Sequence, residues 1–288
     1  MKKIGIIGKG FVGSAVAHGF SEAAGYHAEI KIFDKDPLRS TNSLEELVTS
    51  SEIVFISVPT PSNKDGSINL DILTECLDEI NSLASQLDSF NTVYLIRSTV
   101  VPGTTRNFQE QFSKLKLVFN PEFLTERSAN FDFISQSRFI LGGSEENCKV
   151  VGDLYKDRFG NSVSIIITDY ESAELTKYVC NTFFATKVSF LNEMRVLSDR
   201  VNANWDDVME GFLRDGRIGN SHSQVPGPDG KFGFGGSCFP KDIQALIHFA
   251  DHVGVDLSVL KGAWKTNIKV RPEKDWEELI GRAIVKDG

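Results

Sequence analysis

Residues 8–13, with the sequence GKGFVG, constrain the fold more than any other segment of the chain. They follow a short apolar run, 3–7, and precede a pattern typical of a helix, 11–24. In a strand-turn-helix unit the first glycine permits a tight turn, the second lets a pyrophosphate approach the backbone, and the third allows helix and strand to pack closely. The chain is therefore expected to begin with a βαβ unit that can bind a dinucleotide at the start of its helix.

A carboxylate stands where the second predicted strand, 28–33, ends. Asp34 comes 21 residues after Gly13, where a carboxylate accepts hydrogen bonds from the ribose of an adenine dinucleotide. A carboxylate also repels a 2′-phosphate, so the sequence favours NAD over NADP. Lys35 and Arg39 lie nearby and weaken that preference.

Apolar runs and helical patterns alternate through the first part of the chain. Strands are predicted at 3–7, 28–33, 53–58, 92–97, 115–119, 139–141 and 163–167, and helices at 11–24, 43–50, 71–87, 104–112 and 145–158. Several of the strands are continuously apolar, which is typical of a parallel sheet covered by helices on both faces. Residues 1–170 are therefore expected to form a doubly wound α/β domain.

From residue 171 onward the pattern is helical. Residues 171–202 contain neither Pro nor Gly, which predicts one long helix. Shorter helices are predicted at 205–213, 240–253, 257–268 and 276–285. The Gly-, Pro- and Ser-rich residues 215–237 are too polar for a core, and long loops of this kind are often functional. The expected second domain is therefore an all-helical one over 171–288, joined to the first by the long helix.

Composition excludes several classes of function. The net charge of −8 and the pI near 5.3 match polyanionic nucleic acid poorly. No apolar run is long enough to cross a bilayer, and no secretory leader follows Met1, so a cytosolic protein without a membrane partner is expected. The four cysteines show no C-x-x-C spacing and no neighbouring His cluster, so neither a disulfide framework nor a metal site is predicted.

Cys238 differs from the other cysteines in its sequence neighbours. The glycines of residues 233–237 leave room for a ligand, and Pro240 suits the first turn of a helix. A cysteine at a helix N-terminus, with Lys241 beside it, is favoured as a thiolate. Cys238 is therefore predicted to be a nucleophile. Inert, packed thiols are expected at the other three positions, Cys76, Cys148 and Cys180.

Seven segments together resemble the UDP-glucose/GDP-mannose dehydrogenase family. They are GKGFVG at 8–13, VPTP at 58–61, STVVPGT at 98–104, NPEFLTE at 120–126, KYVCN at 177–181, RIG at 217–219 and GFGGSCFPKD at 233–242. The matches run from residue 4 to about residue 270. The resemblance implies a Rossmann-like NAD domain, a central dimerisation domain, and oxidation of the C6 alcohol of a nucleotide sugar to a carboxylate with two NAD.

The resemblance also implies roles for five side chains. Cys238 attacks the aldehyde to form a thiohemiacetal and then a thioester. Lys177 serves proton transfer or oxyanion stabilisation, and Asn181, four residues further on the same helix face, helps form the oxyanion hole. Asp242 orders a water or tunes the nearby ammonium group, with Thr99 as a second ligand of that water.

Two glutamates of the NPEFLTE segment have implied roles that could be exchanged. Glu122 is the first choice for activating the water that hydrolyses the thioester, and Glu126 lies closer to the nicotinamide. The implied cofactor contacts are Gly8, Gly10, Phe11, Val12, Gly13, Asp34, Lys35, Pro59, Thr60, Thr99, Glu126 and Lys241. The implied substrate contacts are Glu122, Phe123, Leu124, Lys177, Asn181, Arg217, Phe234 and Gly235, with Arg217 reaching the sugar from the neighbouring subunit of a dimer built on the long helix.

Three features depart from the family pattern. Arg127 stands where the family usually has Gly. The segment 220–232 is longer than the resemblance leads one to expect. Only residues 271–288 stand where family members continue into a second, UDP-binding Rossmann-like domain. Three alternatives therefore stay open: GDP-mannose as the substrate, a non-catalytic NAD- or nucleotide-sugar-binding module, and a two-electron hydroxyacid dehydrogenase, which would not need Cys238.

Overall fold

The computed structural model describes residues 1–87 and 90–285, and it divides into two compact units. The first unit consists of Met1–Thr60 and Leu70–Lys177, and the second of Pro61–Asn69 and Tyr178–Gly288. The division falls inside the long helix, seven residues beyond the predicted end of the first domain at residue 170. Residues 286–288 of the predicted second domain lie outside the described residues.

A seven-stranded sheet forms the centre of the first unit. Its strands are β1 (Lys2–Ile7), β2 (Ala28–Phe33), β3 (Ile53–Ile56), β4 (Val93–Ile96), β5 (Lys116–Phe119), β6 (Arg138–Gly143) and β7 (Ser164–Thr168). They lie in the order β2-β1-β3-β4-β5-β6-β7, and all neighbouring pairs except β5 and β6 are parallel. The predicted Rossmann-like α/β fold and its strands are confirmed, with ends that shift by up to two residues.

One strand pair differs from the predicted parallel sheet. β5 and β6 pair antiparallel, with Val118 opposite Gly143 and Phe119 opposite Gly142. The connection between them carries a 3-10 turn, Glu126–Ser128, and α5 (Ala129–Ile134), a helix of six residues that the sequence did not indicate. A helix this short does not carry the chain back along the sheet, so β6 starts at the edge where β5 ends.

Helices cover both faces of this sheet: α1 (Phe11–Gly19), α2 (Leu44–Ser50), α3 (Asp71–Gln86), α4 (Thr104–Gln111) and α6 (Glu145–Phe159). Successive β3 residues alternate between two apolar clusters, with Val54 in the cluster that contains α2, α3 and α4 residues, and Phe55 in the cluster that contains α1, α5 and α6 residues. Because both faces are buried, the strands are continuously apolar. α1 ends five residues before the predicted residue 24, and Glu22–Ala24 form a separate 3-10 turn.

The second unit is helical. α7 (Tyr170–Arg200) begins in the first unit, runs for 31 residues and ends in the second, which confirms the predicted long helix. α8 (Trp205–Leu213), α9 (Phe239–His252) and α10 (Ser258–Val270) follow, and side chains of α7, α9 and α10 pack around Phe234. None of the described helices is long and apolar enough to cross a membrane.

The predicted helix at 276–285 is wrong. Only a 3-10 turn, Asp275–Glu278, forms there, and Gly281 has a φ of 76°, in the left-handed region that interrupts a helix. The chain beyond it is extended instead: the Val285 N–H donates to the Ser62 carbonyl at 2.9 Å, and the Ser62 N–H donates to the Ala283 carbonyl at 2.9 Å. These backbone bonds to a distant segment satisfy the groups that a helix would have satisfied internally.

Candidate active site

The glycine segment connects β1 to α1. Gly8 has a φ of 86°, and a Cβ there would lie 2.7 Å from the Ser57 carbonyl oxygen. A Cβ on Gly13 would lie 2.0 Å from the carbonyl oxygen of Gly8, so only glycine fits. At Gly10, the N-cap of α1, no described atom lies within 4 Å of the Cβ position, and no side chain caps the helix. Backbone N–H groups at this helix N-terminus therefore have room for an anion.

The loops after β3 and β4 meet at the same edge of the sheet. The Thr60 hydroxyl donates to the Thr99 carbonyl at 2.8 Å, and the Ser98 hydroxyl donates to the Val58 carbonyl at 2.6 Å. Pro59, between them, is exposed. Since β1 separates β2 from β3, this edge contains the point where the strand order reverses, which is where doubly wound sheets bind ligands.

Asp34 is held against the glycine segment. Its Oδ2 accepts a hydrogen bond from the Lys9 N–H at 2.7 Å. The two nearby cations have other partners: Lys35 Nζ lies 2.5 Å from Glu75 Oε2, a contact that raises the pKa of Lys35, and Arg39 pairs at 3.3 Å with the carboxylate three residues before it. The positive charges predicted to weaken the preference for NAD are therefore paired with carboxylates.

A buried ion pair joins the loop after β5 to α7. Lys177 Nζ donates to Glu122 Oε1 at 2.8 Å and to the Glu122 carbonyl at 2.5 Å. The two side chains are 4% and 7% exposed. Glu122 Oε2 accepts the Leu124 N–H at 2.8 Å, and Lys177 Nζ lies 5.5 Å from the centroid of the Phe123 ring. The structure thus brings together four of the predicted site residues.

Glu126 has different surroundings from Glu122. It begins the 3-10 turn that precedes α5, and it is exposed. Arg127, which departs from the family pattern, is exposed in the same turn. Of the two glutamates, Glu122 is therefore the one whose carboxylate is buried against a cation.

Glu174 is a buried carboxylate that sequence reasoning missed. Its Oε2 accepts the Gly103 N–H at 2.6 Å and its Oε1 accepts the Thr105 N–H at 2.7 Å. These groups belong to the start of α4, which has no side-chain cap of its own, so α7 supplies the cap. Burial raises the pKa of Glu174 to about 7 despite these bonds. An acidic residue three positions before Lys177, between apolar residues, was the signal in the sequence.

Replacing Glu174 by Gln is expected to flatten the pH dependence of stability. With a pKa of about 7 in the folded chain against an ordinary 4.5, the folded state holds the extra proton between these pH values. The free energy of unfolding therefore falls as pH rises through this window, by about 3 kcal/mol in total for this group. Urea denaturation of both proteins at several pH values measures the difference.

A matched control for that experiment lies one turn earlier on α7. The exposed Glu171 pairs with Arg106, and the hydrogen bond to that guanidinium lowers the pKa of Glu171. Glu171→Gln should therefore keep the fall between pH 4.5 and 7 that Glu174 causes. An equal fall in Glu174→Gln and in the unmutated protein would contradict the assignment.

In the second unit Cys238 is the N-cap residue of α9, and Pro240 lies in the first turn. The thiol is partly exposed, and its sulfur lies 3.7 Å from the Ser237 Oγ. The Cys238 carbonyl accepts the Asp242 N–H at 2.8 Å, which closes the first turn of α9. The positive end of the α9 dipole therefore acts on the Cys238 thiol.

Asp242 links two further predicted site residues. Its Oδ2 accepts a hydrogen bond from Asn181 Nδ2 at 2.6 Å, and its Oδ1 accepts one from Lys241 Nζ at 2.6 Å. Asp242 is 1% exposed and Lys241 8%. This hydrogen bond fixes the orientation of the Asn181 amide group, and therefore also the direction of its second N–H. The contact between Asp242 and an ammonium group is one of the two arrangements expected for this carboxylate.

The glycines before Cys238 have different surroundings. A Cβ on Gly235 would lie 2.6 Å from Arg271 Nη2 and 2.6 Å from Asp275 Oδ1, so these two side chains would have to shift to accommodate a larger residue. At Gly236, with a φ of 71°, no described atom lies within 4 Å of the Cβ position. Phe234 is buried, and its backbone N–H and carbonyl bond to the Asn267 side chain at 2.7 and 2.9 Å.

Ion pairs lie near both ends of the long segment 220–232. Arg217 just before it is 89% exposed, and its guanidinium pairs with Asp215 at 2.5 Å. Near the other end, the buried Arg271 donates to Asp229 Oδ2 at 2.7 Å and to Asp275 Oδ1 at 2.7 Å. The segment is thus tied to the residues that follow α10.

Two family models match consecutive parts of the chain. Residues 29–158 match the NAD binding domain of the UDP-glucose/GDP-mannose dehydrogenase family, and residues 171–269 match the central domain of the same family. The chain belongs to the UDP-glucose/GDP-mannose dehydrogenase family. Its first unit therefore carries the NAD-binding domain of that family, as the glycine segment and Asp34 predicted.

Relatives and solved structures agree with this assignment. The UDP-glucose 6-dehydrogenase of Rickettsia typhi is 34% identical over 244 residues, which are 83% of this chain and 54% of that protein. The UDP-glucose dehydrogenase structure from Pyrobaculum islandicum matches with a TM-score of 0.80 and 28% identity, covering 93% of this chain and 68% of that one. A GDP-mannose dehydrogenase structure from Pseudomonas aeruginosa matches with a TM-score of 0.65 and 28% identity, covering 93% and 69%. The chain spans about half the length of the curated relatives it matches.

The residues of this family member fit NAD. Gly8 and Gly13 are sterically required, Gly10 leaves open space at a helix N-terminus, and the Asp34 carboxylate lies beside the loop. This is the donor set that a pyrophosphate and an adenosine ribose need. Among the described residues no group of three or more His, Cys, Asp and Glu side chains could hold a metal ion.

The four cysteines of this family member have unequal surroundings. Cys76 and Cys148 are buried, and burial raises the pKa of their thiols to about 12 and about 11, which agrees with the predicted inert role. Cys180 is partly exposed, so the prediction of a packed thiol was wrong there. Its neighbour in sequence, Val179, is exposed.

Proposed function

We propose that this chain is an NAD-dependent nucleotide-sugar 6-dehydrogenase that converts UDP-glucose, two NAD+ and water to UDP-glucuronate and two NADH. The observation that carries the proposal is the thiol of Cys238 at the N-terminus of α9. Oxidation of an alcohol only to a carbonyl needs no thiol, whereas oxidation to an acid is aided by one that holds the aldehyde. The names of the relatives support UDP-glucose as the sugar nucleotide.

The proposed reaction assigns a step to each of the predicted catalytic residues. NAD, when bound, accepts a hydride in each of the two oxidations. Lys177, held by Glu122, either stabilises the negative oxygen as an ammonium group or, after giving a proton to the Glu122 carboxylate, takes the C6 hydroxyl proton as an amine. The Cys238 thiolate adds to the aldehyde carbon and gives a thiohemiacetal, whose oxidation leaves a thioester. Water adds to the thioester carbon, the C–S bond breaks, and the thiolate and the acid are released.

Asn181 and Glu122 support these steps in the proposal. The amide of Asn181, oriented by Asp242, has a second N–H that donates to the oxyanion of the tetrahedral intermediate. The resemblance to the family assigns to Glu122 the removal of a proton from the hydrolytic water, and to Asp242 and Thr99 the ordering of that water. Arg217, Phe123, Leu124, Phe234 and Gly235 are proposed to contact the substrate.

We also propose a homodimer built on α7. Apolar side chains at 179, 183, 190 and 197 are exposed although their spacing places them on one helix face. Their exposed fractions are 56% for Val179, 64% for Phe183, 50% for Phe190 and 54% for Leu197. Exposed apolar side chains gathered on one helix face are typical of an interaction surface, so a second copy of the chain is the proposed cover.

NADH production with a panel of nucleotide sugars tests the proposed function. Two NADH are expected for each UDP-glucose consumed, with UDP-glucuronate as the product. The similarity to a GDP-mannose dehydrogenase structure makes GDP-mannose the alternative substrate. Faster turnover of GDP-mannose would change the proposed substrate but keep the proposed chemistry. One NADH per sugar, or binding of the ligands without any NADH, would overturn the proposed reaction.

A further inference from the structure

His222, in the segment 220–232, has an unusual backbone and a defined set of contacts. Its φ of 59° lies in the left-handed region, which costs a residue other than glycine about 1 kcal/mol or more and persists only where the surroundings enforce it. Its Nδ1 lies 2.6 Å from the Ser221 Oγ. The imidazole is thus held in place from its own turn.

The imidazole contacts the rings of two phenylalanines from different helices. The ring of Phe184, on α7 three residues after Asn181, lies parallel to it with a centroid distance of 4.3 Å and an interplanar angle of 20°. The centroid of the Phe239 ring lies 5.3 Å from that of the imidazole, and the two rings are tilted by 45°. Phe239 directly follows Cys238 and is the first residue of α9.

The same stack continues towards the segment before the thiol. Phe239 contacts the buried Phe234 edge to face, with a centroid distance of 6.0 Å. Aromatic contacts of this kind bury apolar surface and also favour particular ring orientations. Phe234 is fixed by Asn267 through both backbone groups. His222 therefore links Phe184 of α7 to Phe239, the first residue of α9, in a series of ring contacts.

Lys187 fastens the turn that carries His222. Its Nζ donates to the Gly219 carbonyl at 2.5 Å and to the Ser221 carbonyl at 2.7 Å, one residue before the imidazole. Desolvation in the stack, and then the charge of Lys187, lower the pKa of His222. The imidazole therefore presents a neutral ring to the two phenylalanines at neutral pH.

We propose that His222 is a positioning residue for Cys238, which acts through Phe239 by holding the first turn of α9 so that the helix N-terminus acts on the thiol. The inference deepens the proposed function, on which it rests, because it assigns to the segment 220–232 a part in the thiol chemistry. What the ring contributes is its stacked surface rather than a nitrogen atom.

Alkylation of Cys238 by iodoacetamide, followed by mass spectrometry of the peptide that contains it, tests the proposal without requiring turnover. Loss of the stack in His222→Ala should fray the first turn of α9 and raise the midpoint pH of alkylation, which slows the reaction at neutral pH by about threefold. His222→Phe retains a ring and should react like the unmutated protein. Phe184→Leu removes the ring beneath the imidazole and should shift the midpoint as His222→Ala does.

The controls separate the possible failures. His248→Ala, an exposed position on α9 outside the stack, should leave the alkylation midpoint unchanged. An unchanged midpoint in His222→Ala would overturn the proposal, and so would a shift in His222→Phe equal to that in His222→Ala, because the nitrogen rather than the ring would then be required. Absence of NADH from unmutated protein would instead overturn the proposed function and leave the alkylation result standing.

Discussion

Cys238→Ser is expected to abolish acid formation, with a loss of at least about a thousandfold in turnover to the carboxylate. A serine hydroxyl at the N-terminus of α9 has the same place but stays protonated at neutral pH, so it does not add to the aldehyde as a thiolate does. The variant should still bind NAD, because the glycine segment and Asp34 belong to the other unit. Quantifying the acid product and the NADH for each sugar consumed measures the effect.

Cys180→Ser is the matched control for this substitution. Cys180 is also partly exposed, but it lies in the middle of α7, without a helix N-terminus or a lysine beside it in sequence. Its replacement should leave acid formation within about twofold of the unmutated protein, as surface changes usually do. Full acid formation by Cys238→Ser would exclude a thioester on this residue.

Features set by neighbouring residues could be predicted from the sequence. The turn at Gly8 needs a positive φ, and the close approach at Gly13 excludes a Cβ, so both glycines are visible in the local pattern. The strands are apolar throughout because helices cover both faces of the sheet, and α7 contains no residue that breaks a helix. In each case the signal lies in the residue types of the element itself.

Features set by distant residues could not be predicted. The segment 276–285 has a helical apolar pattern, but its backbone pairs with Ser62, more than 200 residues away. Glu174 caps α4 across 69 to 71 residues of chain, and Arg271 lies against Gly235. The residue types of one short segment do not show which distant group will occupy the same space.

The candidate site divides in the same way. Residue types and spacing indicated Cys238 and the glycine segment, and resemblance indicated Lys177, Asn181 and Asp242. The pairings are findings of the structure: Glu122 with Lys177, and Asn181 with Asp242. Such pairs matter for chemistry because each partner fixes the orientation of the other.

The buried pair of Lys177 and Glu122 leads to the second large prediction. Lys177→Met should lower the free energy of unfolding by about 3–5 kcal/mol, because it leaves the Glu122 carboxylate buried without its cation. The double variant Lys177→Met/Glu122→Gln should recover most of that loss, since the remaining amide needs no counter-charge. Urea denaturation of the three proteins under identical conditions measures both values.

Activity should not follow stability in this series. If Lys177 handles the C6 hydroxyl proton or its oxyanion, the double variant is stable but lacks this group as well as the Glu122 carboxylate, so NADH formation stays reduced by about a hundredfold or more. Arg106→Met is the control, because it breaks an exposed pair with Glu171, which lies on α7 as Lys177 does. It should cost far less stability and leave turnover intact, because exposed pairs contribute little. A double variant that regains both stability and turnover would reduce Lys177 to a counter-ion of Glu122, and the proton would then have to leave the alcohol through another group.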